Sequence, residues 1–265
     1  KILFAIALAV VATACHTDNE GGNTVQLGAI EIKTSTRNEV SNNGSTLANT
    51  TVLESVPAEN DLRVEIVGNN ETHTWATLAE YNTEASNGLL FATAPYTITL
   101  SYGEKGAEGW SKPYFEGSTT VEVPGYKLTA NAEVQVVLAN SIIAIDTTDS
   151  FDGYLSEAKF TINGIEWDST KKEHLFLNAG EATIKCTAKR PTGKAIELTK
   201  SVTLKPTTRY TVLFDLSTAG NADVTITFDG TIEEVLHDKK KLKVIVKIFG
   251  RKTILELNFV QVVKE

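Results

Sequence analysis

The segment from Tyr96 to Tyr102 constrains the fold most, because apolar and hydroxyl-bearing residues alternate along it without interruption. In an extended strand, a period of two places the two sets of side chains on opposite faces. The pattern therefore predicts a half-buried strand of a β-sandwich, bounded by Pro95 and Gly103. The buried face is expected to hold Tyr96, Ile98, Leu100 and Tyr102, and the exposed face Thr97, Thr99 and Ser101.

Short strands separated by turn residues recur along both halves of the chain. The expected strands span 25–33, 62–67, 118–123, 128–140, 142–145, 158–162, 182–189, 195–204, 210–216 and 222–228. Turn sequences such as Asn163-Gly164 lie between them. This spacing is typical of sandwiches, so we expect an all-β fold with two consecutive immunoglobulin-like or transthyretin-like β-sandwiches, over residues 25–141 and 142–234.

Two stretches of the first half depart from this pattern. Residues 35–60 are rich in Ser, Thr and Asn, which predicts a long loop or an irregular edge. Trp75, Leu78 and Tyr81 recur at helical spacing. With Thr72 or Thr74 as a cap, they predict a short helix over 72–81 that closes the open end of a sheet.

The first fourteen residues are one Lys and an unbroken apolar run, too short to span a bilayer but typical of a secretory signal peptide. Ala12-Thr13-Ala14-Cys15 resembles the lipobox of bacterial lipoproteins. We therefore expect a signal peptide over 1–14 and a flexible, lipidated tether over 15–24 that begins at Cys15. Asp18 and Glu20 resemble the Bacteroidales signal for export to the outer face, which predicts an outer-membrane protein at the cell surface. The alternative is an ordinary Cys15 thiol after an uncleaved apolar anchor.

Motifs in the first half resemble a known family. They are Ala94-Pro95-Tyr96-Thr97, Ser101-Tyr102-Gly103, Lys112-Pro113-Tyr114-Phe115-Glu116-Gly117-Ser118 and Val137-Leu138-Ala139-Asn140. They are similar to a Bacteroidales lipoprotein domain of unknown function with a Pro-Tyr-Tyr-Glu-Gly-Ser turn and a Leu-Ala-Asn strand end, and the resemblance covers residues 25–234. Phe115 stands where a second Tyr is usual, and no Cys stands directly before the motif that begins at Val137. The resemblance brings no established activity, and its two-sandwich plan is similar to that of the Bacteroidales fimbrillins.

Trp110 and Tyr114 are the candidate ligand-binding residues. Trp110 lies in a polar, Gly-rich loop, where an exposed indole can stack on a sugar. The alternative is that Trp110 covers the edge of a sandwich. Tyr114 belongs to the turn motif that follows. The partner expected at these residues is a glycan or a protein.

No pattern in the sequence predicts catalysis. Gly-x-Ser-x-Gly, P-loop, Gly-x-Gly-x-x-Gly and His-x-x-x-His patterns are absent. His73 and His174 are expected to be surface histidines rather than zinc ligands. We expect no enzymatic activity and no cofactor.

A metal site and a disulfide are not expected either. Asp146, Asp149 and Asp152 recur every third residue, which predicts a solvated acidic turn, with calcium binding as the alternative. With Cys15 acylated, Cys186 is the only free thiol, so neither a disulfide nor a cysteine-based metal site can form.

The charge of the chain is unevenly distributed. The net charge of −8 argues against nucleic acid as a partner. Residues 235–265 form a tail with eight basic and three acidic residues, a net of +5, and Leu242, Val244 and Val246 alternate there with lysines. The tail therefore predicts a C-terminal β-hairpin with a basic face. It either donates a strand to a neighbouring molecule, forms protected edge strands of the second sandwich, or reflects a disturbed reading near the end of the sequence.

Two classes of function fit these expectations. The first is a lipid-anchored, non-catalytic binding or adhesion module at the cell surface, with a glycan or a protein as its ligand. The second is a fimbrillin-like structural subunit that assembles by β-strand exchange and self-associates through its C-terminal strands.

Overall fold

The computed structural model describes residues 25–42, 50–216, 222–225, 234–236, 241–248 and 251–258. The described residues form β-strands, two short α-helices and one 3-10 helix. The signal peptide, the tether and Cys15 lie outside them, as do residues 226–228 of the strand expected over 222–228.

The strands are numbered in chain order. In the first half they are β1 Leu27–Thr36, β2 Glu39–Asn42, β3 Thr50–Val52, β4 Arg63–Gly68, β5 Glu71–Trp75, β6 Phe91–Ala92, β7 Pro95–Tyr102, β8 Gly109–Trp110, β9 Phe115–Glu122 and β10 Thr129–Leu138. The second half contains β11 Ser141–Thr147, β12 Ser156–Ile162, β13 Ile165–Glu166, β14 Leu175–Leu177, β15 Gly180–Lys189, β16 Ala195–Leu204, β17 Thr208–Leu216 and β18 Ala222–Thr225. The tail contains β19 Glu234–Leu236, β20 Lys241–Ile248 and β21 Arg251–Asn258. The helices are α1 Leu78–Ser86 and α2 Asp149–Tyr154, and the 3-10 helix is Glu59–Asp61. The all-β prediction is confirmed.

The first sheet has seven strands in the order β5-β4-β7-β9-β10-β1-β6. Its neighbours are antiparallel except β1 and β10, which run parallel. Strand β7 confirms the predicted alternation, because Tyr96, Ile98 and Leu100 are buried. Tyr102 was expected on the same buried face, but it is 41% exposed. It lies at the last residue of the strand, beyond the buried part of the sheet.

The two edge strands of this sheet lie close together. The ring of His73 on β5 lies edge-on to Phe91 on β6, with centroids 5.5 Å apart, so the sheet curls. Helix α1 packs inside the curl through Leu78 and Tyr81, and the Tyr81 hydroxyl donates to the carbonyl of Ile30 at 2.8 Å. This is the helix that the sequence predicted at the open end of a sheet, but its first and last residues differ from the prediction.

The helix predicted over 72–81 is wrong in its first half. Residues Glu71–Trp75 form β5, and α1 begins only after Thr77. The side chain of Thr77 accepts a hydrogen bond from the backbone N–H of Glu80 at 3.1 Å, so Thr77 is the cap in place of Thr72 or Thr74. Trp75 still contacts Tyr81, because β5 ends where the helix packs.

The second sheet has the order β3-β2-β17-β11-β14-β8, with β18 paired to β17. Strands β2 and β3 occupy part of the region 35–60, where the sequence predicted a loop or an irregular edge. Strand β2 runs parallel to β17, and β8 is antiparallel to β14, so segments of the first half extend a sheet of the second half. The division at residues 141/142 stays a prediction.

This second sheet lies between two hydrophobic cores. Ile142 and Phe176 pack into the first core with the buried residues of the curled sheet. Ile143, Leu175 and Leu177 pack into the second core. Because successive side chains of a strand point to opposite faces, β11 and β14 supply residues to both cores.

The third sheet, in the order β13-β12-β15-β16, covers the other side of the second core. Cys186 on β15 is a free, buried thiol, and burial raises its pKa to about 11. Helix α2 occupies the acidic segment that the sequence predicted as a turn, and it begins after Thr148, whose hydroxyl accepts from the N–H of Phe151. Phe151 anchors the helix in the second core.

The tail strands form a separate antiparallel sheet, β19-β20-β21. Strands β20 and β21 pair over their whole length, which confirms the predicted C-terminal hairpin. Strand β19 extends it by three residues, paired with the start of β20.

Candidate functional site

A cleft of about 370 Å³ lies where the first and second halves of the chain meet. It is bounded by three segments that are distant in the sequence: the stretch after β3, the loop between β8 and β9, and the stretch that leads into β14. The residues that line it are Leu53, Glu54, Ser55, Ser111, Pro113, Phe115, Lys172, Glu173, His174 and Phe176.

The cleft has an apolar floor and a polar rim. Leu53, Phe115 and Phe176 are buried and belong to the first core, so they form the floor. Glu54 and Lys172 are exposed side chains of opposite charge on the rim. Such a site can cover an apolar surface of a ligand while its rim donates and accepts hydrogen bonds.

A backbone hydrogen bond closes one wall of the cleft. The N–H of Ser111 donates to the carbonyl of His174 at 3.0 Å and continues the pairing of β8 with β14. Ser111 has a φ of 55°, which turns the chain out of β8 towards Pro113. The loop and the second half are therefore joined at the cleft itself.

His174 is the titratable group in the wall of the cleft. Its ring is half-buried and lies edge-on to Phe176, with centroids 6.2 Å apart. Burial and then the charge of Arg209 lower the pKa of His174, against a smaller opposing effect of Glu54. The imidazole is therefore neutral at neutral pH and can both donate and accept a hydrogen bond.

Trp110 lies outside this cleft. It pairs with Leu175 of β14, and its side chain packs against the second core, on the opposite face of the sheet from His174 and Phe176. Its indole N–H donates to the carbonyl of Glu166 at 3.3 Å.

The indole of Trp110 is partly covered by other side chains. Its ring contacts Trp167 at 5.0 Å between centroids, and the Lys171 ammonium lies 5.2 Å from its centre. The geometry matches the alternative in which this tryptophan covers a sandwich edge. That Trp110 binds a ligand stays a prediction.

Tyr114 is buried and also lies outside the lining of the cleft. Its hydroxyl donates to the carboxylate of Glu116, which also binds Lys105 at 2.9 Å. Burial first, and then the hydrogen bond and the negative charge of Glu116, raise the pKa of Tyr114. Its backbone N–H donates to the Asn140 side chain at 3.3 Å. A ligand-binding role for Tyr114 likewise stays a prediction.

No pattern in the sequence predicted the cleft or identified its polar residues as candidate binding residues. Glu54, Ser111, Lys172 and His174 come from three separate segments, and none belongs to a local motif. His174 was interpreted as a surface histidine, and it is half-buried. Only the pairing of β8 with β14 brings Ser111 to His174.

Hydrogen bonds between hydroxyl groups and carboxylates hold the acidic segment before and within α2. Asp152 accepts from the Thr147 hydroxyl at 2.7 Å, and Asp215 accepts from Thr148 at 2.6 Å. Across the part of the chain that the structure describes, no group of three or more His, Cys, Asp or Glu side chains is placed to hold a metal ion. No helix among the described residues is long and apolar enough to cross a membrane.

A comparison with family models places the chain in a family. Residues 26–240 match the family described as a domain of unknown function, DUF4493. The chain belongs to this family. The DUF4493 match spans most of both halves, and residues 241–265 of the tail lie beyond it.

Several solved structures to which the chain is similar come from Bacteroides. A proposed cell adhesion protein of Bacteroides eggerthii is 10% identical with a TM-score of 0.38, covering 90% of this chain and 98% of that one. A fimbrial protein of Bacteroides ovatus is 9% identical with a TM-score of 0.32, covering 84% of this chain and 57% of that one. Likeness at this level carries no argument about function.

A short stretch of the DUF4493 chain is similar to a different protein. Over 38 residues, 14% of this chain, it is 58% identical to the transcription termination/antitermination protein NusG of Rickettsia felis, covering 20% of that protein. Over 37 residues it is 60% identical to NusG of Halalkalibacterium halodurans, covering 21% of it. The chain therefore spans about a fifth of the length of the curated relatives it matches.

Proposed function

We propose that this protein is a non-catalytic binding or adhesion module at the cell surface, with a glycan or a protein as its ligand. The observation that carries the proposal is the cleft between the two halves, with its buried floor of Leu53, Phe115 and Phe176 and its polar rim. Its volume of about 370 Å³ suits a small ligand or one end of a larger chain.

Binding to immobilised glycans and to extracellular proteins tests this function. The double variant Glu54→Ala/Lys172→Ala removes two charged groups from the rim, and we expect at least a tenfold loss of affinity with an unchanged melting temperature. The matched control is Glu31→Ala/Lys33→Ala, which removes an exposed ion pair (3.7 Å) on β1, away from the cleft. Equal binding by both double variants would exclude the cleft as the site.

We further propose that the protein is held in the outer membrane by a lipid on Cys15. The proposal is supported by the apolar run of residues 2–14 and by the small residues before Cys15. In cells fed an alkynyl fatty acid, the wild type should be labelled and the Cys15→Ser variant should not. Equal labelling of both would contradict the proposal.

A fimbrillin-like structural subunit is the second candidate, and the tail sheet favours it. Among the described strands, β19, β20 and β21 pair only with one another. A hairpin of this kind can add to the sheet edge of a neighbouring molecule. If deletion of the residues after Glu234 abolishes self-association without lowering the melting temperature, strand donation by the tail is supported. A large loss of stability would instead make the tail part of the fold.

A further inference from the structure

Three segments meet at one end of the first sheet, and we call this end the tip. They are the start of β1, the stretch from β6 to the start of β7, and the connection from β9 to β10, that is, residues 25–30, 91–95 and 123–130. The N–H of Lys127 donates to the carbonyl of Leu27 at 2.8 Å, and the N–H of Thr93 donates to the carbonyl of Gln26 at 2.9 Å. Both other segments are therefore bonded to the first, and the tip is one continuous surface.

The tip carries a single charged residue. Lys127, whose side chain is exposed, is the only Asp, Glu, Lys or Arg in the three segments, although these residues make up 22% of the whole chain. The nearest acidic residues along the chain are Glu31 and Glu122, just outside the tip. In a chain with a net charge of −8, this surface has one cation and no anion, so it can approach anionic lipid headgroups without repulsion from its own residues.

The tip also exposes large apolar side chains. Tyr126 is 80% exposed and Leu128 is 59% exposed, and Val25 and Leu27 in the neighbouring segment are exposed as well. Single exposed apolar residues are common on the surfaces of soluble proteins. A group of four at one end of a sheet, almost without charges, instead indicates an interaction surface.

The backbone holds Tyr126 outwards in a strained conformation. Tyr126 and Lys127 have φ values of 60° and 56°, in the left-handed region that bulky side chains rarely adopt. The hydrogen bond from Lys127 to Leu27 fixes the turn on one side. On the other side Gly125 is buried against Gln26, and a larger residue at this position would clash with it. Strain of this kind persists only where the surrounding structure imposes it, and it is concentrated at functional sites.

The polypeptide between Cys15 and Val25 restricts what the tip can face. Residues 15–24 enter the described structure at Val25, which is part of the tip. Ten residues span at most about 36 Å when fully extended. With the proposed lipid on Cys15 in a bilayer, the tip therefore stays within that distance of the membrane surface.

We propose that the tip lies on the lipid bilayer, with Tyr126 and Leu128 inserted among the headgroups, a placement that rests on the proposed lipid anchor. Tyrosine is enriched at the membrane–water interface because its ring is apolar and its hydroxyl stays hydrated. The Lys127 ammonium binds lipid phosphates while its aliphatic stem covers apolar surface. The lipid and the tip are then two attachments, and together they fix the orientation that a lipid alone leaves free.

This orientation places the cleft away from the membrane. Strand β9 runs from Phe115, in the floor of the cleft, to Glu122, next to the tip. A strand of this length spans about 25 Å. The cleft therefore lies towards the far end of the sheet, where a ligand outside the cell can reach it.

A dye at the tip of the lipidated protein tests the proposal. The variant Tyr126→Cys and the control Tyr102→Cys, an exposed tyrosine at the other end of the sheet, are labelled with the environment-sensitive dye NBD. Cys186 is buried, and the wild type treated in the same way gives the background. The proteins are isolated from cells fed an alkynyl fatty acid. They are then placed in vesicles of phosphatidylethanolamine and phosphatidylglycerol, with and without nitroxide-labelled lipid.

We expect the nitroxide lipid to quench the dye of Tyr126→Cys strongly and that of Tyr102→Cys little. Adding Leu27→Asp/Leu128→Asp to Tyr126→Cys should abolish the quenching, because two carboxylates resist insertion among the headgroups. The matched control Val56→Asp/Tyr154→Asp adds the same charge at exposed apolar residues outside the tip and should leave the quenching unchanged.

Equal quenching at the two positions, in a protein that carries the fatty acid, overturns the tip as the membrane surface and leaves the lipid anchor standing. A protein without the fatty acid overturns the anchor and, with it, the orientation. Quenching that survives Leu27→Asp/Leu128→Asp overturns the insertion of the apolar side chains. Emission of Tyr126→Cys that follows protein concentration rather than lipid points to a second copy at the tip and also overturns the proposal.

Discussion

Ile142 and Ile143 are neighbours in the sequence and each is 1% exposed, yet they pack into different hydrophobic cores. Their strand pairs with β14 on one side and β17 on the other, so the sheet between the cores is fixed on both edges of β11. The two halves of the chain are therefore joined by a shared layer of side chains and not only by the peptide chain.

The buried face of β7 should be intolerant of charge. Ile98→Asp places an unpaired carboxylate in the first core, and we expect a loss of about 3–5 kcal/mol in the free energy of unfolding. Thr97→Asp, on the exposed face of the same strand, should change it by less than about 1 kcal/mol. Urea unfolding followed by circular dichroism measures both, and similar losses would contradict the burial of only one face of β7.

Asn140 should stabilise the segment between β8 and β9 through its side chain. It is 1% exposed; its Nδ2 donates to the carbonyl of Lys112 at 3.0 Å, and its Oδ1 accepts from the N–H of Tyr114. Asn140→Ala leaves two backbone groups without these partners, and we expect a loss of about 2–3 kcal/mol in urea unfolding. Asn131→Ala, at an exposed position of β10, is the control and should be close to neutral.

Trp110→Ala decides between packing and ligand binding at this residue. Because the indole contacts Trp167 and the second core, we expect its removal to lower the free energy of unfolding by about 2 kcal/mol. Trp110→Phe should recover part of that loss. A variant Trp110→Ala with unchanged stability and lost glycan binding would instead support the sugar-stacking role.

The stability of the protein should fall below neutral pH partly through His174. Its pKa is lowered in the folded state, so the unfolded chain binds the proton first as the pH falls below the ordinary value of 6.5. The contribution of His174 is therefore fully present above pH 6.5 and is lost as the pH falls towards its folded pKa. Comparing urea unfolding at pH 7.5 and pH 5.0, we expect a smaller decrease for His174→Gln than for the wild type. Identical decreases would show that His174 does not contribute.

The sequence predicted the elements whose signal is local. The period of two in β7 and in the tail hairpin follows from the alternation of side chains along a strand, and in β7 it separates a buried face from an exposed one. The helical spacing of Trp75, Leu78 and Tyr81 was misleading, because the same three residues come together from a strand end and a helix. Local spacing cannot distinguish these two arrangements.

The sequence by itself determined the all-β class, the burial pattern of the central strand and the C-terminal hairpin. The tertiary structure alone decided which strands share a sheet: β2 and β8 of the first half pair with β17 and β14 of the second. That pairing created the cleft and placed Trp110 on the face of the sheet opposite His174. The reason is physical, because backbone hydrogen bonds between distant strands do not depend on side-chain identity and leave no pattern in either strand.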